Sequence, residues 1–297
     1  MSLALPTIRG RYTENADLSK TNWFRVGGNA EVLFKPADLE DLQHFLKNKP
    51  ANCPVTVLGV GSNIIVRDGG IDGGVIKLGR EFASIDNDAN ILQVGSAALD
   101  LNVALFAADN GIAGLEFLSG IPGTIGGAIA MNGGAYGTET KDILVKAQAV
   151  DHDGNLHEYT NQELRFTYRK CGALLEKPLI FTKAWLQGKA GKPEEIHARI
   201  AEIKAAREDS QPIRSRTGGS TYKNPEGHKA WQLIDQAGLR GYSIGGAQVS
   251  EKHCNFFINT GTATAKDLED LILHVQKTVL EKSGIKLEPE IKIIGKY

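Results

Sequence analysis

The stretch Gly120-Ile121-Pro122-Gly123-Thr124-Ile125-Gly126-Gly127-Ala128-Ile129-Ala130-Met131-Asn132-Gly133-Gly134-Ala135-Tyr136-Gly137 decides how this chain is read. Glycines with apolar residues between them let backbone lie flat against a large planar ligand. An apolar surface with a few polar groups is what cofactor pockets use. Polar surface loops do not have this composition. A glycine-rich packing crossing of helix and strand is the alternative.

A second glycine segment precedes it: Leu58-Gly59-Val60-Gly61-Ser62-Asn63-Ile64-Ile65-Val66. Before it, Pro54-Val55-Thr56-Val57-Leu58 is a short β-branched run, read as a strand that stops at Gly59. Glycines there let successive backbone N–H groups face an anion, while Ser62 and Asn63 add donors. That suits a pyrophosphate. A dinucleotide fingerprint is excluded, because the third glycine is missing and a strand, not a helix, is expected to follow. A P-loop is excluded by the absence of Gly-Lys-Ser/Thr. On its own the segment is equally well explained as a tight turn.

Around these segments the chain reads as ordinary folded protein. Its 297 residues suffice for one large domain or two to three small ones. Glycine is abundant, at 34 residues, yet follows no Gly-X-Y period, which excludes collagen. A net charge of -1, with no basic tail, argues against general nucleic-acid or membrane-surface binding. The start, Met1-Ser2-Leu3-Ala4-Leu5-Pro6, lacks the apolar core of a secretory signal, and no stretch is long and apolar enough to span a membrane. The expected location is cytoplasmic. Cys53, Cys171 and Cys254 are far apart and odd in number, which favours reduced structural thiols over disulfides or zinc.

Apolar spacing predicts helices over residues 36–48, with Asp38 as N-cap, over 99–110, ended by Gly111, over 193–209, over 230–236 and over 265–282. Strands are predicted over 75–78, 256–258 and 287–294. Residues 147–151 and 155–159 flank an Asp153-Gly154 turn and predict a hairpin. That turn accounts for Asp151, His152 and Asp153 without a metal, and no metal site is expected. Residues 210–228 read as loop. The mixture of strands and helices places the fold in the α+β or α/β class.

Taken together, the glycine segments resemble the FAD-binding domain of the p-cresol methylhydroxylase and vanillyl-alcohol oxidase type. Within that type the chain looks like the UDP-N-acetylenolpyruvoylglucosamine reductase (MurB) family. The matching pieces are Phe24-Arg25-Val26-Gly27-Gly28, the Gly59–Val66 loop with Arg67-Asp68-Gly69-Gly70, the stretch quoted first, Tyr168-Arg169, Gly219-Ser220-Thr221-Tyr222-Lys223-Asn224-Pro225, and Glu288-Pro289-Glu290-Ile291. They keep the family's order from about Thr21 to the C-terminus. The resemblance implies an α+β chain: a two-part FAD-binding domain over 21–205 (subdomains about 21–80 and 81–205), then a C-terminal α/β substrate-binding domain over 206–297. The chain looks like the shorter subgroup, without the tyrosine-bearing lid insertion. Tyr222 stands where phenylalanine is common in the family, which keeps the ring and adds a hydroxyl.

The resemblance also implies the chemistry. NADPH would reduce FAD, and hydride would pass to the enolpyruvyl double bond of a UDP-sugar substrate. FAD would be bound non-covalently, since neither glycine segment holds a histidine or cysteine. Its contacts would be Gly59, Val60, Gly61, Ser62, Asn63, Pro122, Gly123, Gly126, Asn132 and Gly134. Ser220 would protonate the carbon next to the carboxylate. Arg169 would hold that carboxylate, a bidentate role suited to a guanidinium. Glu290 would help stabilise or protonate the intermediate, with its carboxyl neutral or paired with Arg169. Lys223, Asn224, Tyr136 and Arg214 would contact substrate, and Lys223 would also stabilise a transient Ser220 alkoxide.

From Ser210 to Lys229 the cations Arg214, Arg216, Lys223 and Lys229 face a single acid, Glu226, which suits a diphosphate substrate. No partner protein is implied, and a monomer is expected. The alternatives are another FAD-dependent oxidase or dehydrogenase of the same fold, and a nucleotide-sugar binding module without activity.

Overall fold

The computed structural model describes residues 4–297. Residues 1–3, part of the chain start read above, lie outside them. The main strands are β1 (Arg11–Asp17), β2 (Asn29–Lys35), β3 (Val55–Val57), β4 (Ile64–Val66), β5 (Ile71–Ile76), β6 (Ile85–Asp88), β7 (Ile91–Gly95), β8 (Leu144–Asp151), β9 (Leu156–Thr160), β10 (Leu179–Gln187), β11 (Ala247–Val249), β12 (Phe257–Asn259) and β13 (Lys292–Ile294). The main helices are α1 (Leu39–Asn48), α2 (Asp100–Asp109), α3 (Ile125–Met131), α4 (Pro193–Ser210), α5 (Ala230–Gln236) and α6 (Ala265–Ser283). The class is α+β.

The chain forms two compact units. One comprises the residues up to Thr13, Val32–Gly59 and Gly73–Ala206. The other comprises Glu14–Glu31, Val60–Asp72 and Arg207–Tyr297.

In the first unit a five-stranded antiparallel sheet runs in the order β9-β8-β10-β7-β6. The β8–β9 hairpin turns on Gly154, whose φ of 81° is the left-handed conformation that glycine adopts without steric cost. One core packs Leu92, Val94 and Leu186 of the sheet, with Phe117 and with Ile129 of α3, against α2, and takes Ile196 and Ile200 from α4. These two isoleucines and Ile203 are the buried residues of α4, as their spacing predicts. A smaller core gathers Phe34, Leu42, Phe45, Ile76, Val150 and Ile180. There α1 is capped by Asp38, whose carboxylate accepts from the Asp41 N–H. β3 pairs in parallel with β5, in a sheet of order β1-β2-β5-β3.

In the second unit β11 pairs antiparallel with β12, and β13 runs parallel to β4. α6 starts on a capping box in which Thr264 and Asp267 each bond the other's backbone, and ends on Gly284 at φ 72°. Its Leu268, Leu271, Val275 and Val279 close a core shared with Phe24, Val26, Ile65, Tyr222, Phe257, Leu287 and Ile291. Burying each such side chain contributes about 1.5–3 kcal/mol.

The strand predicted over 287–294 is shorter than the pattern suggests: only Lys292–Ile294 is regular strand. Pro289 has no N–H to donate to a ladder. The residues on either side of it make isolated bonds instead, from Lys223 N to Glu288 O (2.9 Å) and from Glu290 N to Thr221 O (2.8 Å).

Candidate active site

β3 delivers the chain to Gly59 in the first unit. A Cβ placed there would meet only Thr124, at 3.0 Å from its hydroxyl oxygen. The backbone of residues 96–100 runs beside that of 123–126, with bonds from Gly126 N to Ser96 O (2.8 Å), Ile125 N to Ala98 O (3.0 Å) and Asp100 N to Gly123 O (3.2 Å). Two glycines make that approach possible. A Cβ on Gly123 would lie 2.7 Å from the Asp100 carboxylate, and one on Gly126 would lie 3.1 Å from Ser96. Much of the glycine-rich stretch is therefore helix, α3, crossing the segment after β7, rather than flat backbone. One side of the helix remains open: Gly127 faces only the Thr124 hydroxyl, at 3.6 Å. Pro122 lies in the turn closed by the Gly123 N–H on Ile121 O.

Three polar groups beside this crossing carry no signal in the sequence. Thr124 is buried between two glycines that expose their Cα faces. Ser96 and Asp100 are almost completely buried, and the Ser96 hydroxyl and both Asp100 carboxyl oxygens have no hydrogen-bond partner within the protein. Burial pushes the Asp100 carboxyl well above the ordinary carboxylate range. Asp100 opens α2 within an apolar pattern, where a sequence signal reads as a helix start and nothing more.

Arg169 sits at the second position of a tight turn between the paired residues Phe166–Thr167 and Lys170–Cys171. Its φ is 55°. Asn132 and Tyr136, at φ 47° and 53°, share this uncommon left-handed conformation. Asn132 and Arg169 belong to one knot. Arg169 donates to Gly134 O (2.8 Å), Asn132 O (3.4 Å) and the Glu139 carboxylate (3.5 Å). Asn132 is fully buried and caps α3. Its amide donates to Glu139 and to Thr167 O (3.0 Å each) and accepts from Lys141 N (3.0 Å). Its side chain thus ties the knot together. Tyr136 is exposed, with its hydroxyl 3.3 Å from Ile203 O. Left-handed non-glycine residues each cost about 1–3 kcal/mol and persist where surrounding structure enforces them, often at functional sites.

In the second unit Val60, Ser62 and Asn63 are half-buried on the loop into β4. Gly61, at φ 68°, passes so close to Thr21 and Asn22 that a Cβ would lie 2.7 Å from their backbone. The same unit brings Asn63, Ser220 and Glu290 onto neighbouring backbone. Asn63 donates its amide to Glu290 O (3.3 Å), and Thr221 O, next to Ser220, accepts from Glu290 N (2.8 Å). Ser220 follows Gly219 at φ 80° and bridges to Phe256.

Asn255, which no pattern singled out, locks this loop. Its backbone oxygen accepts from Thr221 N (2.7 Å), and its amide bonds both N and O of Tyr222 (3.0 and 2.8 Å). The Tyr222 ring is buried edge-on to Phe257, and its hydroxyl donates to Ile272 O in α6 (2.5 Å). Lys223 is ion-paired with Glu288, and Asn224 accepts from Ala230 N (3.0 Å) at the start of α5. Arg214 is exposed beside a cavity of about 520 Å³ lined also by Glu208, Gln248, Ser250 and Lys252.

Two family models match this chain: an FAD-binding domain over residues 30–160, and the C-terminal domain of UDP-N-acetylenolpyruvoylglucosamine reductase over residues 211–294. The chain is 57% identical over 291 residues to the UDP-N-acetylenolpyruvoylglucosamine reductase of Parvibaculum lavamentivorans, covering 98% of this chain and 93% of that one. It is 56% identical over 291 residues to the reductase of that name from Paramagnetospirillum magneticum, covering 98% and 94%. The chain belongs to the UDP-N-acetylenolpyruvoylglucosamine reductase (MurB) family.

The crystal structure of the Thermus caldophilus family member superposes with a TM-score of 0.84 at 36% identity, over 97% of this chain and all of that one. An oxidase acting on 6-hydroxy-D-nicotine, at 16% identity and a TM-score of 0.51, shares the fold alone.

FAD is the family's cofactor, and the residues here fit it. The Gly59 and Gly127 faces leave backbone open beside Thr124. Among the described residues no helix is long and apolar enough to cross a membrane, and no cluster of three or more histidine, cysteine or acidic residues is arranged to hold a metal.

Proposed function

We propose that this chain reduces the enolpyruvyl ether of UDP-N-acetylglucosamine-enolpyruvate to the lactyl ether of UDP-N-acetylmuramate, with NADPH as reductant. FAD, when bound, would supply the hydride for the terminal carbon of the double bond. The chain's own groups complete the addition. Negative charge grows on the adjacent carbon and spreads into the carboxylate, so a cation must meet that carboxylate and an acid must protonate the carbon. Arg169 meets the carboxylate. Its guanidinium is already fixed by the Asn132–Glu139 segment, so little orientation is lost on binding. Ser220 protonates the carbon. Its hydroxyl is a weak acid in water but is acidic enough for a carbanion when correctly placed. Glu290 controls charge beside it, and Lys223, Asn224, Tyr136 and Arg214 bind substrate.

The observation that carries this reading is the hydrogen-bonded link between the Ser220 loop, Glu290 and the Asn63 side chain within one unit. That link puts the proposed acid, the proposed charge-control group and the glycine loop on one scaffold. The reading also takes the protein as a cytoplasmic monomer, which light scattering of the purified protein tests for oligomeric state.

Anaerobic rapid mixing tests the chemistry. NADPH is expected to bleach the flavin absorbance, and the enolpyruvyl substrate to restore it. In Ser220→Ala, bleaching stays at the wild-type rate and restoration falls by about 10³-fold, in the middle of the range a positioned proton donor contributes. Restoration at the wild-type rate would remove Ser220 from its role.

A further inference from the structure

We infer that Trp23, Arg25 and Arg216 form the docking site for the adenosine 2′-phosphate end of NADPH, with the indole on the base and the two guanidiniums on the phosphate. The inference rests on the proposed function, in which NADPH is the reductant, and names the part of the chain that selects it.

Three observations support it. First, the residues belong to two segments of the second unit that are fastened to each other. The Asn259 side-chain amide donates to Phe24 O (2.8 Å), and the Asn259 backbone N–H donates to Arg216 O (2.9 Å). The Phe24 ring lies against Gly218, where a Cβ would come within 2.4 Å. Phe24 is fully buried, while its neighbours Trp23 and Arg25 are exposed, as is Arg216 on the other segment. Second, neither arginine meets an acid. Arg25 donates to the Lys20 carbonyl oxygen (2.7 Å), and the Arg216 guanidinium has no hydrogen-bond or ion-pair partner among the described residues. Arg9, Arg165, Arg199 and Arg240, by contrast, each hold a carboxylate. Third, the backbone fixes the first segment. Arg25 has a φ of 58°, a left-handed conformation that surrounding structure must enforce in a residue with a side chain. The Trp23 N–H donates to Gly61 O (3.0 Å), which sets the indole, 39% exposed, beside the glycine loop. A large ring left in solvent there is a surface on which a base can stack.

The charge selects the ligand. A terminal phosphate monoester carries about two negative charges at pH 7 and three free oxygens, and guanidinium forks pair with such oxygens. Among the nucleotides of the proposed reaction, NADPH alone has such a group, on its adenosine ribose. The phosphates of FAD and of the UDP-sugar are diphosphates esterified at both ends. An arginine near the ribose is a known means of accommodating the 2′-phosphate of NADP, and the adjacent adenine supplies a ring for Trp23.

The test reads flavin bleaching of the holoenzyme by anaerobic rapid mixing with NADPH and with NADH. It then reads restoration by the enolpyruvyl substrate after reduction with dithionite. The variants are Arg216→Ala, Trp23→Ala and Arg25→Gly, in which glycine keeps the left-handed backbone. Each arginine change is expected to weaken apparent NADPH binding by about tenfold, the loss of one charge-assisted bond, and NADH binding by less than about threefold. Trp23→Ala is expected to weaken both by about tenfold, because the adenine is common to the two. Restoration by substrate is expected to stay within about threefold of wild type in all three.

An unchanged preference for NADPH in both arginine variants would overturn the inference. Equal losses for NADPH and NADH in those variants would overturn it too, by assigning the arginines to the fold. A loss in the substrate step as large as in the NADPH step would assign the site to the UDP-sugar instead. Wild-type enzyme bleached equally well by NADPH and NADH would remove this inference alone, whereas wild-type flavin that neither nucleotide bleaches would refute the proposed reductant as well.

Discussion

Lys223 is the residue whose surroundings most affect its proposed role. Its ammonium is paired with Glu288, whose side chain is 71% exposed, whereas that of Lys223 is 20% exposed. An ion pair with so exposed an acid is worth little, at about 0–1 kcal/mol. Glu288 therefore orients Lys223 without holding it strongly, and a substrate diphosphate or a developing Ser220 alkoxide can compete for the ammonium. Lys223→Ala is expected to raise the substrate KM or slow flavin restoration by at least about tenfold, the loss of one charge-assisted bond. Glu288→Gln is expected to change either by less than about threefold and to leave the melting temperature nearly unchanged. A loss in Glu288→Gln as large as in Lys223→Ala would show that the pair acts as one unit.

The same scale explains why single residues were hard to read. Arg169 looks like a surface arginine in the sequence. Its left-handed turn and its bonds to Gly134 and Asn132 come from residues about 35 positions away, which no local pattern encodes. Asn132 reads as a cofactor contact within the glycine stretch, and its side chain is engaged by Glu139, Lys141 and Thr167. The Tyr222 hydroxyl finds an acceptor in α6, so the tyrosine fits its buried place as well as a phenylalanine ring would.

Among the elements, the β8–β9 hairpin shows what the Asp151-His152-Asp153 run is for. The Asp151 side chain is 1% exposed and is bonded by Lys177 and His157 (2.7 Å each) and by the backbone N–H groups of Asp153 and Asn155 (2.9 Å each). Burial alone would raise its carboxyl pKa. The bonds from Lys177, His157 and Asn155 outweigh that and hold it well below the ordinary carboxylate range. A carboxyl depressed in the folded state contributes stability above its unfolded pKa of about 3.9, and that stability is lost as pH falls below about 4. Asp151→Asn is expected to cost about 2–3 kcal/mol at pH 7 and to flatten the loss of stability between about pH 4 and 2. Urea melts across that range read both, and an unchanged acid slope would remove Asp151 from the acid response.

Elements with a full apolar face were legible. Leu42, Phe45 and Leu46 in α1, Ile196, Ile200 and Ile203 in α4, and the α6 leucines and valines are buried where their spacing places them. Two elements were less so. Residues 287–291 alternate like a strand, yet Pro289 and the bonds to residues 221 and 223 interrupt the ladder. The glycine stretch hid α3, because Gly126 and Gly127 lower helix propensity while Ile125, Ala128 and Ile129 still bury one face.

For the whole molecule the decisive fact is that the second unit is assembled from three separate segments of chain. The family resemblance implies a separate substrate-binding domain over residues 206–297. Yet the core they enter includes Phe24, Val26 and Ile65, all buried, and β13 has its partner strand in β4. Gly218 packs so closely on the Phe24 ring that a Cβ would lie 2.4 Å from it. A piece containing only residues 206–297 would leave β13 without its ladder and would expose the surfaces of Tyr222, Leu268 and Ile291 that those residues share a core with. Losing three buried side chains of this size, at about 1.5–3 kcal/mol each, is comparable to the whole stability of a small domain, about 5–15 kcal/mol. The isolated piece is therefore expected to lack a cooperative thermal transition and to give a collapsed amide NMR spectrum. Adding back Phe24, Val26 and the β4 strand, by linking residues 14–31 and 60–72 to it, is expected to restore both. A well-dispersed spectrum and a sharp melt from residues 206–297 alone would show that the C-terminal part builds its core without the two earlier segments.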